Sequence, residues 1–397
     1  MEGETVIWLG NSESGFSFQQ KGRSMKISRY KSGLMPTLGA ALLGATMLAG
    51  PVTAEGEALG PVVGPEINAA RALLGQRLFF DKRLSGDAAI SCASCHQPEN
   101  GFADGMPLSA AYPGSNGFRN TPTLINTATA DNWFLDGRIG TNLNDVTRES
   151  ITEDYMMNMD MRLMQERIKQ DPVYVQMFAD AGYGEPSNGS VRKAIPEYLN
   201  TLISRGSDFD EGTMSEAATR GQALFEGKAG CVACHSGPRL TDDQAYNIGV
   251  AENPKIWSDP VRHATYAAFA SFMGVENYMN VRRDVGAQII RHPADGSDIG
   301  SFNTPTLREL TYTAPYMHNG TFDTLFEVVA FYNAGGGDDA NKDPRIVPLG
   351  LTFAEQKDIV AFLQALSGDP LTGPDYVWQD TISTNYPAIE NWRDVPN

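Results

Sequence analysis

The chain has 397 residues and four cysteines. All four cysteines fall in two strings of one pattern, Cys92-Ala93-Ser94-Cys95-His96 and Cys231-Val232-Ala233-Cys234-His235. Cys-x-x-Cys-His is the attachment signature of a c-type haem. The two-residue gap lets both sulfurs reach the vinyl groups of one macrocycle, and the histidine that follows meets the iron as its proximal ligand. Other chemistry uses the same atoms. Zinc prefers four ligands converging from paired elements. A thioredoxin-like dithiol needs no histidine at this offset, and a disulfide across so short a loop is strained. Two covalent haems are therefore expected. Cys92, Cys95, Cys231 and Cys234 attach them, and His96 and His235 ligate the irons.

Two haems replace much side-chain core, which suits a loop-rich helical chain with 40 glycines, 23 prolines and 41% apolar residues. The expected fold is all-α, two cytochrome c-like haem domains with little or no β structure. Near the N-terminus, Lys26, Arg29 and Lys31 precede an apolar run from Leu34 to Leu48, and Val52-Thr53-Ala54 gives a small-x-small cleavage site. Met25 to Ala54 reads as a secretory signal peptide, with Met25 the true start. The apolar run is short of the roughly 20 residues that a spanning helix needs. No membrane span is expected once the leader is removed. Export to the periplasm agrees with the cysteines, because c-type haem is attached outside the bacterial cytoplasm. The formal charge is −17. Removing residues 1–54, with five Lys/Arg and three Asp/Glu, takes it to −19. Such a balance disfavours nucleic acid and anionic lipid and favours a basic or dipolar protein partner, or plain solubility.

Four segments follow: an extension plus leader over 1–54, a haem domain over 55–210, a second over 211–370, and a surface tail over 371–397. After a Pro/Gly-rich linker from Gly56 to Pro65, apolar spacing at Ala69, Leu73, Leu74 and Leu78 predicts a helix over Glu66 to Phe80. Gly101 to Pro122 reads as a long loop. Asp171-Pro172 opens a helix that Gly182 closes. Ser190 caps the next, which runs towards Ser204 and is kinked by Pro196 or starts after it. The acidic break from Ser207 to Gly212 marks the domain boundary. A helix from Ser215, carrying Ala218, Ala223, Leu224 and Phe225, then ends at Gly227 and delivers the chain to Cys231. Helix, glycine turn and haem motif thus occur twice. A mixed segment from Thr241 to Phe302 holds His263 and His292. Helices over Thr324 to Ala334 and Thr352 to Ser367 close the domain, the second with a Thr352/Glu355 capping box.

Several further stretches carry a family resemblance. They are Phe80-Asp81-Lys82-Arg83-Leu84-Ser85-Gly86-Asp87, Arg119-Asn120-Thr121-Pro122-Thr123-Leu124 and Asp136-Gly137-Arg138. After the second haem motif come Thr304-Pro305-Thr306-Leu307-Arg308 and Ala314-Pro315-Tyr316-Met317-His318-Asn319-Gly320. In this order, from Leu73 to Gly368, the chain resembles the bacterial di-haem cytochrome c peroxidases, and among them the MauG-like branch. The resemblance implies that the N-terminal haem reacts with peroxide and the C-terminal haem passes electrons. Some members close the first haem with a histidine in the loop after it. No histidine other than His96 occurs between Met1 and Cys234, so an open first haem is expected, with Met106 and Tyr112 as alternative caps. The second axial ligand of the second haem would be Tyr332; read without the family, it is a core tyrosine on an apolar helix face. A structural calcium would be held by Asn120, Thr313 and Pro315 with water. His318 would lie near the haem edges without ligating iron, while His263 and His292 read as surface histidines.

The sequence also departs from the family. A glutamate preceding a methionine normally moves the peroxide proton, and here Met156 stands in its place. Glu149, Glu153 and Asp154 are neighbouring acids, each read otherwise as a solvated residue at a helix start. A tryptophan normally precedes Asp-Gly-Arg, and here it is Leu135, with Trp133 and Phe134 as alternative bridges. Trp257 to Val281 reads as an insert for a partner. The expected activity is a periplasmic di-haem peroxidase that uses hydrogen peroxide to oxidise a protein. The donor would be a small cytochrome or cupredoxin, or the protein would itself be the substrate. The alternatives are a di-haem electron carrier without peroxidase activity and a redox sensor. Monomer and homodimer are both left open.

Overall fold

A computed structural model describes residues 57–140, 142–291, 293 and 296–371. The leader, the start at Met25, His292 and all but the first residue of the tail lie outside the described residues. Among those described there are twelve α-helices: α1 Ala69–Phe80, α2 Leu143–Thr152, α3 Met161–Lys169, α4 Pro172–Asp180, α5 Asn188–Leu199, α6 Asp208–Glu211, α7 Glu216–Glu226, α8 Pro254–Ser258, α9 Pro260–Phe272, α10 Gln288–Arg291, α11 Leu325–Asn333 and α12 Phe353–Ala365. The only regular β structure among them is an antiparallel ribbon that pairs Ala245 with Asn303 and Tyr246 with Phe302. The fold is all-α, as expected.

Two helix crossings of one design organise it. Gly75 of α1 packs on α5 so closely that a Cβ would lie 1.9 Å from the Ala194 carbonyl oxygen. Gly221 of α7 packs on α12, where a Cβ would lie 1.9 Å from the Asp358 carbonyl oxygen. One turn further along, the aromatic pairs Phe79–Tyr198 and Phe225–Phe362 meet edge to face, each at 5.2 Å between ring centroids. Glycine lets the backbones touch, and the aromatic ring one turn on fills the wedge beyond. Leu74, Leu78, Ile151, Met164, Tyr174 and Val191 extend the first crossing into an apolar cluster. Leu240, Leu325, Val329, Ile359 and Leu366 extend the second.

Local signals explain most helix ends. Asp171 accepts from the Val173 N–H with Pro172 in the first turn of α4. Ser215 caps α7, while Thr324 and Thr352 open α11 and α12 with capping boxes closed by Glu327 and Glu355. The α5 start differs from expectation. Its cap is Ser187, and Ser190 returns the bond from the third position, Oγ accepting from the Ser187 N–H at 3.0 Å. The helix starts before Pro196 and passes through it. Burial of Val191, Ala194, Ile195 and Tyr198, at about 1.5–3 kcal/mol for a large apolar side chain, outweighs the roughly 3 kcal/mol that an interior proline costs.

The mixed segment is also more ordered than its composition suggests. α8 and α9 build a third apolar cluster in which Ile256, Tyr266, Phe269 and Ile289 pack on Leu108 and Phe118. His263 lies edge-on to Trp257, with ring centroids 5.8 Å apart. No described helix is long and apolar enough to cross a membrane.

Candidate haem centres

Each Cys-x-x-Cys-His string folds into one 3-10 turn, Cys92–Ser94 and Cys231–Ala233. The His96 and His235 N–H groups donate to the carbonyls of Cys92 and Cys231, each at 2.9 Å. This places both cysteines and the histidine on one side of a tight loop. The imidazoles are then fixed alike. His96 Nδ1 meets the Phe102 carbonyl and His235 Nδ1 the Leu240 carbonyl, each at 2.9 Å. A carbonyl only accepts, so Nδ1 carries the proton and Nε2 keeps its lone pair for a metal. A second carbonyl, from Pro122 or Pro305, reaches each ring. Burial is the largest influence on both histidines and holds their pKa below the ordinary value.

The acceptor carbonyls belong to residues in left-handed conformations, Phe102 at φ 58° and Leu240 at φ 53°, which bulky side chains rarely adopt. A threonine holds each turn. Thr123 Oγ1 donates to the Gly101 carbonyl at 2.6 Å, and Thr306 Oγ1 to the Arg239 carbonyl at 2.7 Å. Both threonines sit in the string Asn-Thr-Pro-Thr-Leu, at 120–124 and again at 303–307. Reading the chain for cysteines alone misses this repeat, although it is plain in the sequence. Thr306→Val is expected to cost about 1 kcal/mol, the net worth of one hydrogen bond, seen as a lower denaturant midpoint.

No disulfide joins any two of the four cysteines. Burial pushes Cys92 and Cys231 up to about 12 and Cys95 to about 11, and Cys234 is raised as well. At each centre, two cysteines outside any disulfide and an imidazole with Nδ1 on a carbonyl and Nε2 left for a metal fit a thioether-bound haem.

The remaining expected residues are placed as follows. Tyr332 on α11 is part-buried within electrostatic range of Cys231 and Cys234, and desolvation raises its phenol pKa well above 10. Asn120 donates its backbone N–H to the His318 carbonyl at 2.7 Å, which sets it against the segment that follows Thr313 and Pro315. Met106 is 36% exposed, and Tyr112 donates its N–H to the Tyr155 carbonyl at 2.9 Å. Glu149 and Glu153 do not open a helix. Glu149 lies in the last turn of α2 and Glu153 caps its C-terminal end, because the helix starts at its N-cap Asn142. Arg138 and Arg148 stand 3.8 Å from Glu149 and offset its unfavourable place at the negative helix end. Burial, then the neighbouring Glu149, raises the Glu153 pKa. The methionine against the first haem motif is Met157, with Sδ 4.0 Å from Cys92 Sγ. Leu135 and Phe134 lend their carbonyls to the N–H and Nδ2 of Asn303, at 2.8 and 3.1 Å. The Asp-Gly-Arg turn therefore rests on the second Asn-Thr-Pro-Thr-Leu string.

A buried ionic network lies between the two strings. Arg119 holds Asp284 through Nε and Nη2, at 2.6 and 2.8 Å, and Asp136 through Nη1. Asp136 also pairs with Arg138 at 2.9 Å, and Arg138 Nη2 donates to the Tyr155 hydroxyl at 3.3 Å. His318 stacks on Phe302 at 3.7 Å. Burial holds His318 down to about 4, and its Nε2 has no partner. Sequence reasoning found Arg119, Asp136 and His318 only as motif letters and missed Asp284. The four charges come from segments up to 165 residues apart.

Comparison with known proteins agrees with this geometry. Residues 69–218 match the family model described as di-haem cytochrome c peroxidase. The chain is 45% identical to cytochrome-c peroxidase IdrP2 of Denitromonas iodatirespirans, over 85% of this chain and 94% of that protein. It is 34% identical to the methylamine utilization protein MauG of Methylorubrum extorquens, over 76% of this chain and 79% of that one. Among solved structures, a MauG-like protein associated with microbial copper homeostasis superposes with a TM-score of 0.66. That match has 26% identity and covers 80% of this chain and 95% of that one. The chain belongs to the di-haem cytochrome c peroxidase family, an oxidoreductase acting on peroxide with two c-type haems.

Proposed function

We propose that this peroxidase works in the periplasm, drawing electrons from a small donor protein, a cytochrome or cupredoxin, or oxidising a protein substrate directly. In this reading, residues 55–210 hold the peroxide-reacting haem on Cys92, Cys95 and His96. Residues 211–370 hold the electron-passing haem on Cys231, Cys234 and His235. The observation that carries the assignment is an asymmetry between two otherwise matching centres. Tyr332 lies part-buried near the cysteines of the second, whereas the loop after the first offers no histidine. Tyr332 would be the second protein ligand to the iron of the second centre, where its phenolate, a hard anion, would favour the oxidised metal. His96 would hold the first iron from one side and leave its other side open to peroxide.

Haem supplies the redox chemistry, and the chain supplies the proton. Of the three acids near Met156, of which Asp154 is exposed, Glu153 is the best donor. It is half-buried with a raised pKa, and its carbonyl accepts from the Met156 N–H at 3.0 Å, so it sits at the root of the turn that carries Met156 and Met157. Glu149 is tied to arginines. A calcium ion between the halves would rest on Asn120, Thr313 and Pro315, whose amide and backbone oxygens suit a hard cation.

Electron paramagnetic resonance of the oxidised protein should give one high-spin and one low-spin ferric signal. Tyr332→Phe should alter the low-spin signal alone; an unchanged pair of signals rejects Tyr332 as a ligand. Added peroxide should be consumed catalytically in the presence of a reductant. Slow bleaching of the visible bands without turnover would support an electron carrier that lost its acid at Met156.

A further inference from the structure

One part-buried acid takes no part in any of this. Glu252 lies between the ribbon strand at Ala245–Tyr246 and α8. Its Oε1 accepts from the Asp284 N–H at 3.2 Å, while the buried Oε2 has no partner. We propose that Glu252 is a redox-linked proton site, taking up one proton from solvent when an electron enters the junction between the two haem-bearing halves and releasing it when the electron leaves for peroxide.

Position is the first support. Arg119 stands three residues before Pro122, and Phe302 three residues before Pro305. The carbonyl of each of these prolines lies near one proximal histidine. The Arg119 guanidinium lies 5.4 Å from the Phe302 ring, so the Arg119–Asp284 pair bridges the two histidine supports. Glu252 hangs on that pair through Asp284. Its own segment is laced to the segment beyond Pro315: Asn253 Nδ2 donates to the Asn319 carbonyl at 3.1 Å, and Asn319 Nδ2 to the Ala251 carbonyl at 2.8 Å.

Charge balance is the second support. Arg119 and Arg138 match Asp136 and Asp284, which leaves the network neutral without Glu252. The groups facing Glu252 are Asp284, Arg283, Arg119 and the Tyr266 hydroxyl. Both arginines are committed elsewhere, Arg119 to the two aspartates and Arg283 to Asp339. An ionised Glu252 would therefore be an unmatched buried anion, and a protonated one costs nothing in charge. Burial, and after it the charge of Asp284, push this carboxyl up to about 7, so a small change in nearby charge suffices to load or unload it.

The balance closes. Reducing one peroxide to two waters takes two electrons and two protons. A one-electron donor, protein or small molecule, delivers the electrons singly. Each electron held at low dielectric repels an ionised Glu252, and one proton on its carboxylate cancels the added charge. When the electron moves to peroxide, the proton leaves Glu252 as well.

The test is a spectroelectrochemical titration of the haem-loaded protein against pH, with redox-difference infrared spectra of the carboxyl stretch. The proposal rests on both motifs carrying haem, which mass spectrometry of the intact protein checks separately. In the wild type, the reduced-to-oxidised ratio of at least one haem at fixed potential should fall by up to tenfold per pH unit near pH 7, about 59 mV for one electron. Glu252→Gln, which mimics the protonated form, should flatten that slope and remove a carboxyl band from the difference spectrum. Glu252→Asp should keep both, displaced in pH. A slope and band in Glu252→Gln that superpose on the wild type overturn the proposal, as does a pH-independent wild type that carries both haems.

Discussion

Arg119→Met is expected to lower folding stability by about 3–5 kcal/mol, the usual cost of stripping the partner from a buried charge, measured by denaturant unfolding at neutral pH. Methionine fills much of the volume beside Phe118, Phe269 and Phe302, the three rings that the guanidinium overlies, so the loss is electrostatic rather than a cavity. Asp136 keeps Arg138. Asp284 keeps a 3.0 Å bond from the Gly286 N–H and has the Glu252 carboxyl, not a cation, beside it. The pH dependence distinguishes this cause from poor packing. Burial alone would raise Asp284, but Arg119 holds its pKa below the ordinary value in the wild type. Its contribution is therefore present above the unfolded pKa and is lost as pH falls through the folded one. In the variant the same carboxyl is raised, and it destabilises increasingly as pH rises past about 4. The gap between the two proteins should widen from acid to neutral pH. Adding Asp284→Asn to Arg119→Met restores neutrality and should recover most of the loss; a double variant no better than the single one would assign the effect to packing.

The haem motifs, most helix caps and the all-α class were legible because each is decided within a few residues. A cysteine pair with histidine at a fixed offset, or a threonine three residues before a glutamate, needs no tertiary context. Some local signals of this kind were nonetheless passed over. Asn253-Pro254 and Asp259-Pro260 open α8 and α9 with the cap-and-proline device that marks Asp171-Pro172. The segment around them read as mixed because its apolar residues serve a third cluster on Leu108 and Phe118 rather than either haem. Asn142 as a cap would have turned Glu149 and Glu153 from a helix start into a helix end. The Arg119 network was beyond reach for another reason. Its members come from three distant segments, and no periodicity or spacing records that Asp284 will meet Arg119.

The second large effect concerns Gly221, where two opposing terms decide the sign. Replacing a mid-helix glycine by alanine normally gains up to about 1 kcal/mol in propensity. At Gly221 the new Cβ would lie 1.9 Å from the Asp358 carbonyl and 2.9 Å from Phe362 Cβ. The first of these is backbone inside α12, which cannot step aside without parting the helices and opening the Phe225–Phe362 contact. Overpacking of this kind costs about 1–3 kcal/mol or more, so Gly221→Ala should destabilise the protein by roughly 2 kcal/mol net. Gly75→Ala should behave alike against the Ala194 carbonyl. Gly189 supplies the control, since it lies in α5 with only Ser187 Oγ near, at 3.9 Å. Gly189→Ala should therefore be neutral or stabilising by a few tenths of a kcal/mol, its first-turn place limiting the gain. Thermal and denaturant midpoints of the three variants check the ranking. If Gly221→Ala proved as harmless as Gly189→Ala, α7 and α12 would not be in contact at this residue. The cluster of Phe225, Leu240 and Phe362, and with it the placement of His235 on the Leu240 carbonyl, would then need another support.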